Sequence, residues 1–218
     1  MIRVCLIGPG DAEWHFHKLL GMTNDELNEQ IMGIAGVLAK NAEIVLLPDR
    51  GICFEIAKMY KKLGGRKVLG TVPLSDKDFG IKHLKNYMEA EVSRKKVFDE
   101  FIDTDNWYKQ DLTHCLFGDV VLMLGNSLGS IGELAYGFYL YKLFVGKKPE
   151  VKARMKAIHP EARAGRKIPY SVIVYKPFVK GSLSLEVEEY VKRIGGKIFY
   201  VSSAKELEEV IKELRKAK

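Results

Sequence analysis

Two hydrophobic periods alternate along the whole chain. Ile2 to Ile7 is a continuous apolar run interrupted only by Arg3 and closed by Gly8-Pro9-Gly10, which predicts a first strand buried on both faces. Thr23-Asn24-Asp25-Glu26 has the layout of a helix start. Leu27, Ile31, Ile34, Ala35 and Leu38 then recur at helical spacing. Glu43 to Leu47 predicts a second strand, closed by Pro48-Asp49-Arg50-Gly51. Ile52 to Leu63 predicts a helix stopped by Gly64-Gly65, and Lys67 to Val72 a third strand. The stretch from Ser75 to Phe101 reads as a loop followed by a charged helix. Trp107 to Phe117 reads as helix, and Val120 to Leu124 is the most apolar strand of the chain. Gly125-Asn126-Ser127-Leu128-Gly129-Ser130 then opens a helix running to about Phe144. Farther on, Ser171 to Tyr175 and Ile198 to Val201 predict strands, and Leu185 to Ile194 and Ala204 to Lys216 predict helices.

Repeated alternation of strand and helix signals, with continuous apolar strands, means a parallel sheet covered on both faces. The expected fold class is α/β: a doubly wound, mainly parallel sheet in a Rossmann-like three-layer sandwich. No internal repeat, low-complexity tract or linker divides the 218 residues, so one domain is expected, carrying a basic insertion at about 146–167.

Composition narrows the class. Hydrophobic residues make up 47% and charged residues 29%, enough apolar surface for a real core, which excludes disorder and fibrous architectures. No apolar run is long enough for a transmembrane helix, so no membrane association is expected. The N-terminus lacks the layout of a signal peptide, which makes the cytoplasm the expected compartment. Cys5, Cys53 and Cys115 form no CxxC pair and read as buried small hydrophobes. The net charge of +7 is concentrated: eight Lys and Arg side chains between Lys147 and Lys167 face only Glu150 and Glu161. Such a patch fits a polyanion or nucleic-acid partner, although it contains no aromatic residue for base stacking. A solvated loop or helix is the plainer reading.

In an open parallel sheet, ligands bind beyond the carboxyl ends of the strands. Three loops lie there: Gly8-Pro9-Gly10-Asp11, Pro48-Asp49-Arg50-Gly51, and Gly125 to Glu133. The third is the most informative. Gly125 and Gly129 permit turns that side chains forbid, and Ser127 and Ser130 can cap the helix while leaving its free N–H groups outward, a natural phosphate cradle. The candidate ligand-binding residues are Gly8, Pro9, Gly10, Arg50, Gly51, Gly125, Asn126, Ser127, Gly129 and Ser130. Glu133 falls in the first turn of the same helix. It is either a capping carboxylate or a group that contacts a sugar hydroxyl or does chemistry. The expected partner is a nucleotide or another phosphorylated small molecule. Neither a resident cofactor nor a metal is called for.

The nonapeptide Gly125-Asn126-Ser127-Leu128-Gly129-Ser130-Ile131-Gly132-Glu133 resembles the GGxGTxxE turn of the LOG/lysine-decarboxylase-like proteins. Their wider Rossmann-like group also includes DprA-like and molybdenum-cofactor-carrier-like members. Gly129, Ser130 (for Thr) and Glu133 match; Asn126 and Ser127 replace glycines. The second loop, Pro48 to Ile52, and the helix ending in Gly64-Gly65 support the resemblance, as do the VLGTVPL strand and the last strand and helix. It implies nucleotide binding, and in part of the group phosphoribohydrolase activity on nucleoside 5′-monophosphates. Glu133 would then be the catalytic carboxylate, holding a sugar hydroxyl or orienting water. Asp49 would be a second carboxylate where the group usually has glycine, or else a plain turn residue. The arginine that works with the glutamate in that group falls near Gln110, with Lys109 beside it.

Other constellations are weaker. Glu13-Trp14-His15-Phe16-His17 would set two histidines on one side of an extended segment, within reach of a shared metal, but no third ligand stands at suitable spacing. Gly8-Pro9-Gly10 starts like a dinucleotide fingerprint without the third glycine, and neither a GxxxxGK[ST] loop nor a GxSxG elbow is present. The helix LAYGFYLYKLF after Glu133 is apolar on nearly every side. Either the basic segment covers it or a second subunit does, and the resemblance favours a homodimer or higher homo-oligomer through this region.

Overall fold

A computed structural model describes residues 1–142 and 169–218; the predicted basic insertion at 146–167 lies outside the described residues. Seven strands form one parallel sheet: β1 (Ile2–Ile7), β2 (Ala42–Leu46), β3 (Val68–Val72), β6 (Glu100–Asp103), β7 (Val120–Met123), β8 (Ser171–Tyr175) and β9 (Lys197–Val201). Their order across the sheet is β6-β3-β2-β1-β7-β8-β9, and every pairing is parallel. The chain therefore builds outward from β1 through β2 and β3, then jumps back to β1's other side with β7. This is the expected α/β, doubly wound, three-layer architecture.

The strands are apolar throughout because each supplies both faces. In β1, Ile2, Val4 and Leu6 enter one core, with Phe16, Ile34 and Leu38, while Cys5 and Ile7 enter the other, with Leu116 and Leu134. Strand β7 splits the same way, Val120 and Leu122 to the first core and Val121 and Met123 to the second. The first layer holds α1 (Asn24–Asn41), α2 (Ile52–Lys62) and the C-terminal helix (Ala204–Ala217). Helix α1 starts at Thr23, which accepts from the Glu26 N–H while Glu26 accepts from the Thr23 N–H, so the predicted start is a complete capping box.

The stretch from Ser75 to Phe101 departs from the loop-plus-helix expectation. It contains the short helix α3 (Lys85–Met88), a small antiparallel hairpin of β4 (Glu91–Val92) and β5 (Lys95–Lys96), and then the edge strand β6. Only Ile102 of Glu-Phe-Ile-Asp is buried, so β6 lacks the apolar run that marks the central strands. Helix α4 (Trp107–Thr113) tightens into a 3-10 turn over His114–Leu116, as the predicted Trp107–Phe117 segment requires. Helices α5 (Leu128–Leu140), α6 (Leu185–Arg193) and α7, the C-terminal helix, complete the fold. Among the described residues, no helix is long and apolar enough to cross a membrane.

Candidate functional site at the sheet switch point

Because β2 and β7 leave β1 in opposite directions, a crevice opens above the carboxyl end of β1. All three predicted loops converge on it. The resulting cleft has a volume of about 600 Å³ and draws on the ends of β1 and β2, on α2, α4 and α5. That size suits a nucleotide-sized molecule.

Two glycines bring the loops together. Gly51 (φ +113°) lies so close to the first loop that a Cβ would stand 2.3 Å from the Pro9 carbonyl oxygen, and the next residue, Ile52, donates its N–H to that same oxygen at 3.2 Å. Gly125 (φ +141°) lies against the other side of Pro9, where a Cβ would stand 2.6 Å from Cδ. Beneath Gly125 sits His15, buried, its Nε2 2.9 Å from the Phe178 carbonyl oxygen. The segment Glu13–Leu19 is helical, not extended. His15 and His17 each bond a backbone carbonyl, His17 that of Met22 at 2.6 Å, so the two do not share a metal. No group of metal-ligating side chains forms among the described residues.

The start of α5 is built as the turn sequence implies. Ser127 is the N-cap, in extended conformation, and its Oγ accepts from the Ser130 N–H at 3.1 Å. The Ser130 hydroxyl is hydrogen-bonded to Ser127 Oγ at 2.8 Å and is itself buried, so it locks the cap. The Leu128 and Gly129 N–H groups have no acceptor among the described residues, and both residues line the cleft.

Helix α5 is apolar all round because its faces meet three surroundings. Ser130, Leu134, Gly137 and Tyr141 are buried toward the sheet. Gly129, Gly132, Glu133 and Tyr136 form the stripe that borders the cleft. Ile131, Ala135, Phe138 and Tyr139 face an apolar groove of about 350 Å³ against α6.

Of the predicted site residues, Gly8, Gly10, Asp49, Arg50, Ser127, Gly129, Ser130 and Glu133 line the cleft. Pro9, Gly51 and Gly125 instead form the hinge between loops. Asn126 borders the α5–α6 groove, where its Oδ1 is buried without a hydrogen-bond partner among the described residues. Further residues line the cleft as well, among them Asp11, Cys53, Asp111, His114 and Tyr136. Asp11 closes the first of the quoted loops, but nothing local in the sequence marks Asp111 or Tyr136.

The electrostatics are uneven. Asp11, Asp49, Asp111 and Glu133 line the cleft with Arg50, the one arginine or lysine of the lining among the described residues. Burial pushes the Glu133 carboxyl up to about 8, and the Asp111 charge adds to the rise. Asp111 is itself raised by burial. Glu133 is therefore a protonated carboxylic acid near neutral pH, able to donate a hydrogen bond or a proton. Cys53, on the α2 wall, is pushed far above an ordinary thiol by burial and by Glu133, so it is inert despite its place in the cleft.

Gln110, at the expected arginine position, points into the core. A buried relay runs from Thr104 through Gln110 and Thr71 to His114. Thr104 Oγ1 donates to Gln110 Oε1 (2.9 Å), and Gln110 Nε2 donates to Thr71 Oγ1 (2.9 Å). Thr71 Oγ1 donates to His114 Nδ1 (2.9 Å), and His114 Nε2–H donates to the Leu6 carbonyl (3.2 Å). Each member uses its donors and acceptors in one consistent direction, which fixes the neutral His114 tautomer. Burial drives His114 down to about 4. Lys109 pairs with Asp105 on the surface, so neither residue brings a cation to the cleft.

No protein-family model matches the sequence, and no curated protein is significantly similar to it. Solved structures do share its architecture. The molybdenum-cofactor carrier protein of Chlamydomonas reinhardtii aligns over 100% of this chain and 99% of its own, with a TM-score of 0.58 and 15% identity. The molybdenum-cofactor-binding protein of Rippkaea orientalis aligns over 98% and 97%, with a TM-score of 0.56 and 15% identity. This chain has the fold of the molybdenum-cofactor carriers. A structural-genomics target, TM1055, shares it too, over 98% and 99% at a TM-score of 0.59 and 15% identity. The carrier fold lies within the Rossmann-like group that the Gly125–Glu133 turn resembles, so that resemblance holds at the level of fold. The shared span covers essentially the whole chain, including the elements that build the cleft.

Proposed function

We propose that the cleft binds a nucleotide or a related phosphorylated small molecule. The observation that carries the reading is the start of α5: two N–H groups without acceptors among the described residues, Leu128 and Gly129, open into a cleft that Arg50 also lines. Unpaired amides at the positive end of a helix dipole attract an anion, and a planar guanidinium complements a phosphate. Three carboxyls around them, Asp11, Asp49 and Asp111, match the hydroxyl groups of a sugar or the N–H groups of a heterocycle. Two of the similar structures are named for the molybdenum cofactor, a phosphorylated heterocycle, which belongs to the same chemical class.

Thermal unfolding with nucleoside 5′-monophosphates and with inorganic phosphate tests this reading. A rise in Tm with ligand concentration is expected, and Arg50→Ala should weaken it about tenfold. No stabilisation by any of these ligands overturns the reading.

A catalytic version rests on Glu133, a cleft-lining carboxyl that burial pushes up to about 8, so that it can hold a proton near neutral pH. In hydrolysis of the N-glycosidic bond, the C1′–N bond breaks, Glu133 supplies the proton to the departing base, and water adds to C1′. The proton released by the water passes to a second carboxylate, for which Asp49 stands across β1. The products are free base and ribose 5-phosphate. Chromatography detects the free base; Glu133→Gln should abolish its release while ligand binding persists.

Self-association belongs to the same proposal. Leu128 is 91% exposed, and Ile131 and Tyr139 of α5 stand open beside Leu185 and Tyr190 of α6. A second copy would cover these side chains. Light scattering should give a mass above 24.7 kDa, and Tyr139→Glu should return it to that of the monomer.

A further inference from the structure

Among the described residues, Tyr136 is the one phenylalanine, tyrosine or tryptophan on the wall of the cleft, the other ring there being the His114 imidazole. It follows Glu133 by three residues and Gly132 by four, so all three lie along one stripe of α5. The residue is 49% exposed, and it makes no hydrogen bond or ring contact with the described residues. Helical side chains lean toward the N-terminus, so this ring reaches back over the turn that holds Gly132. On that stripe Gly129 and Gly132 present no side chain. A Cβ at Gly132 would meet nothing within 4 Å, and one at Gly129 would meet only Ser127 Oγ at 3.9 Å. Among the described residues nothing requires glycine at these two helical positions, where alanine favours the helix. What their absent side chains do is keep the backbone bare beneath a free aromatic ring.

We infer that Tyr136 and the bare backbone at Gly132 form a slot for a planar heteroaromatic ring, which selects ligands carrying such a ring over plain sugar phosphates. The inference rests on the proposed binding of a phosphorylated molecule and adds the recognition of its other end. With phosphate at the Leu128 and Gly129 amides, the ligand runs along α5, one helical turn per group: phosphate at the start, sugar or linker beside Glu133, ring at Tyr136. A ring of tyrosine offers a stacking face, whereas an aliphatic residue offers only contact area. Glu133, as a carboxylic acid, can donate to a ring nitrogen or carbonyl from the side of the slot.

The test compares four probes by calorimetry: the 5′-monophosphates of adenosine, guanosine and uridine, and ribose 5-phosphate. The native protein should bind at least one nucleotide more tightly than ribose 5-phosphate. In Tyr136→Leu the advantage should fall by roughly 5- to 150-fold, the range of one base–aromatic stack, while ribose 5-phosphate binds as before. Tyr136→Phe should keep the advantage, because stacking needs the ring and not the hydroxyl. Gly132→Ala should reduce nucleotide binding more than ribose 5-phosphate binding. Equal binding of nucleotides and ribose 5-phosphate by the native protein overturns the slot and leaves phosphate binding standing. So does an advantage that survives Tyr136→Leu, or a Tyr136→Leu effect confined to oligomeric mass. Failure of all four probes to bind overturns both this inference and the reading beneath it.

Discussion

Gly125 lies against Pro9 so closely that a Cβ at position 125 would stand 2.6 Å from Pro9 Cδ and 2.8 Å from His15 Nε2. The turn that opens α5 is thereby held on the first loop, with the buried imidazole as its floor. Gly125 also has φ +141°, where a side chain is strained whatever the space. Gly125→Ala should destabilise the protein by at least about 1–3 kcal/mol, read by denaturant unfolding. It should also abolish ligand-induced stabilisation, because the Leu128 and Gly129 amides are carried by the displaced turn.

Gly129 behaves oppositely. Its backbone is helical and its Cβ position is open, so Gly129→Ala should leave the fold intact and stabilise α5 by about 0.5–1 kcal/mol. Ligand binding should nonetheless weaken, since a methyl group would stand beside the free amides. A substitution that raises Tm without ligand and lowers the ligand-induced shift separates a binding role from a structural one.

Much of this arrangement was legible in the sequence. The central strands are apolar on both faces, so their continuous runs announced a doubly covered parallel sheet. The Ser127 cap and the glycines around it announced the turn. Strand β6 was not legible, because an edge strand with one buried residue has no apolar run. Nor was the position of Asn126, read as a phosphate ligand and found bordering the α5–α6 groove. In that turn one residue of offset reverses the side to which a side chain points. Gln110 and Thr71 are 39 residues apart, and a polar residue on a short helix carries no local sign of so distant a partner. The inert state of Cys53 comes first from its burial and then from the approach of Glu133, and both are properties of the fold alone.

The Thr104–Gln110–Thr71–His114 relay gives the second cleft wall a defined acid sensitivity. Burial lowers His114 from 6.5 to about 4, so below about pH 6.5 the unfolded chain takes up a proton that the native imidazole refuses. Stability should fall by about 3 kcal/mol as pH drops from about 6.5 to 4. The buried C2–H resonance of His114 should show no protonation above about pH 5 in a proton NMR titration. Thr71→Val removes the donor to Nδ1 and the acceptor for Gln110, and should cost about 1–3 kcal/mol at pH 7.

Glu133 imposes the opposite slope. Its carboxyl rises from 4.5 to about 8, so the native state holds a proton that the unfolded state has released across that interval. Its contribution is most favourable below about pH 4.5, is lost progressively as pH rises through about 8, and then stays lost. Glu133→Gln keeps the shape and the neutral character of the acid at every pH. The difference in unfolding free energy between variant and native protein should therefore be near zero at pH 4.5 and grow in the variant's favour toward pH 9. The gain should be about 1–3 kcal/mol, less than the full shift implies, because the carboxyl borders an open cleft where water screens it. A bound phosphate beside an ionised Glu133 would be repelled, so ligand affinity in the native protein should fall above pH 8 while that of Glu133→Gln stays flat. Parallel affinity profiles for the two proteins would mean that the carboxyl and the phosphate do not meet in the cleft.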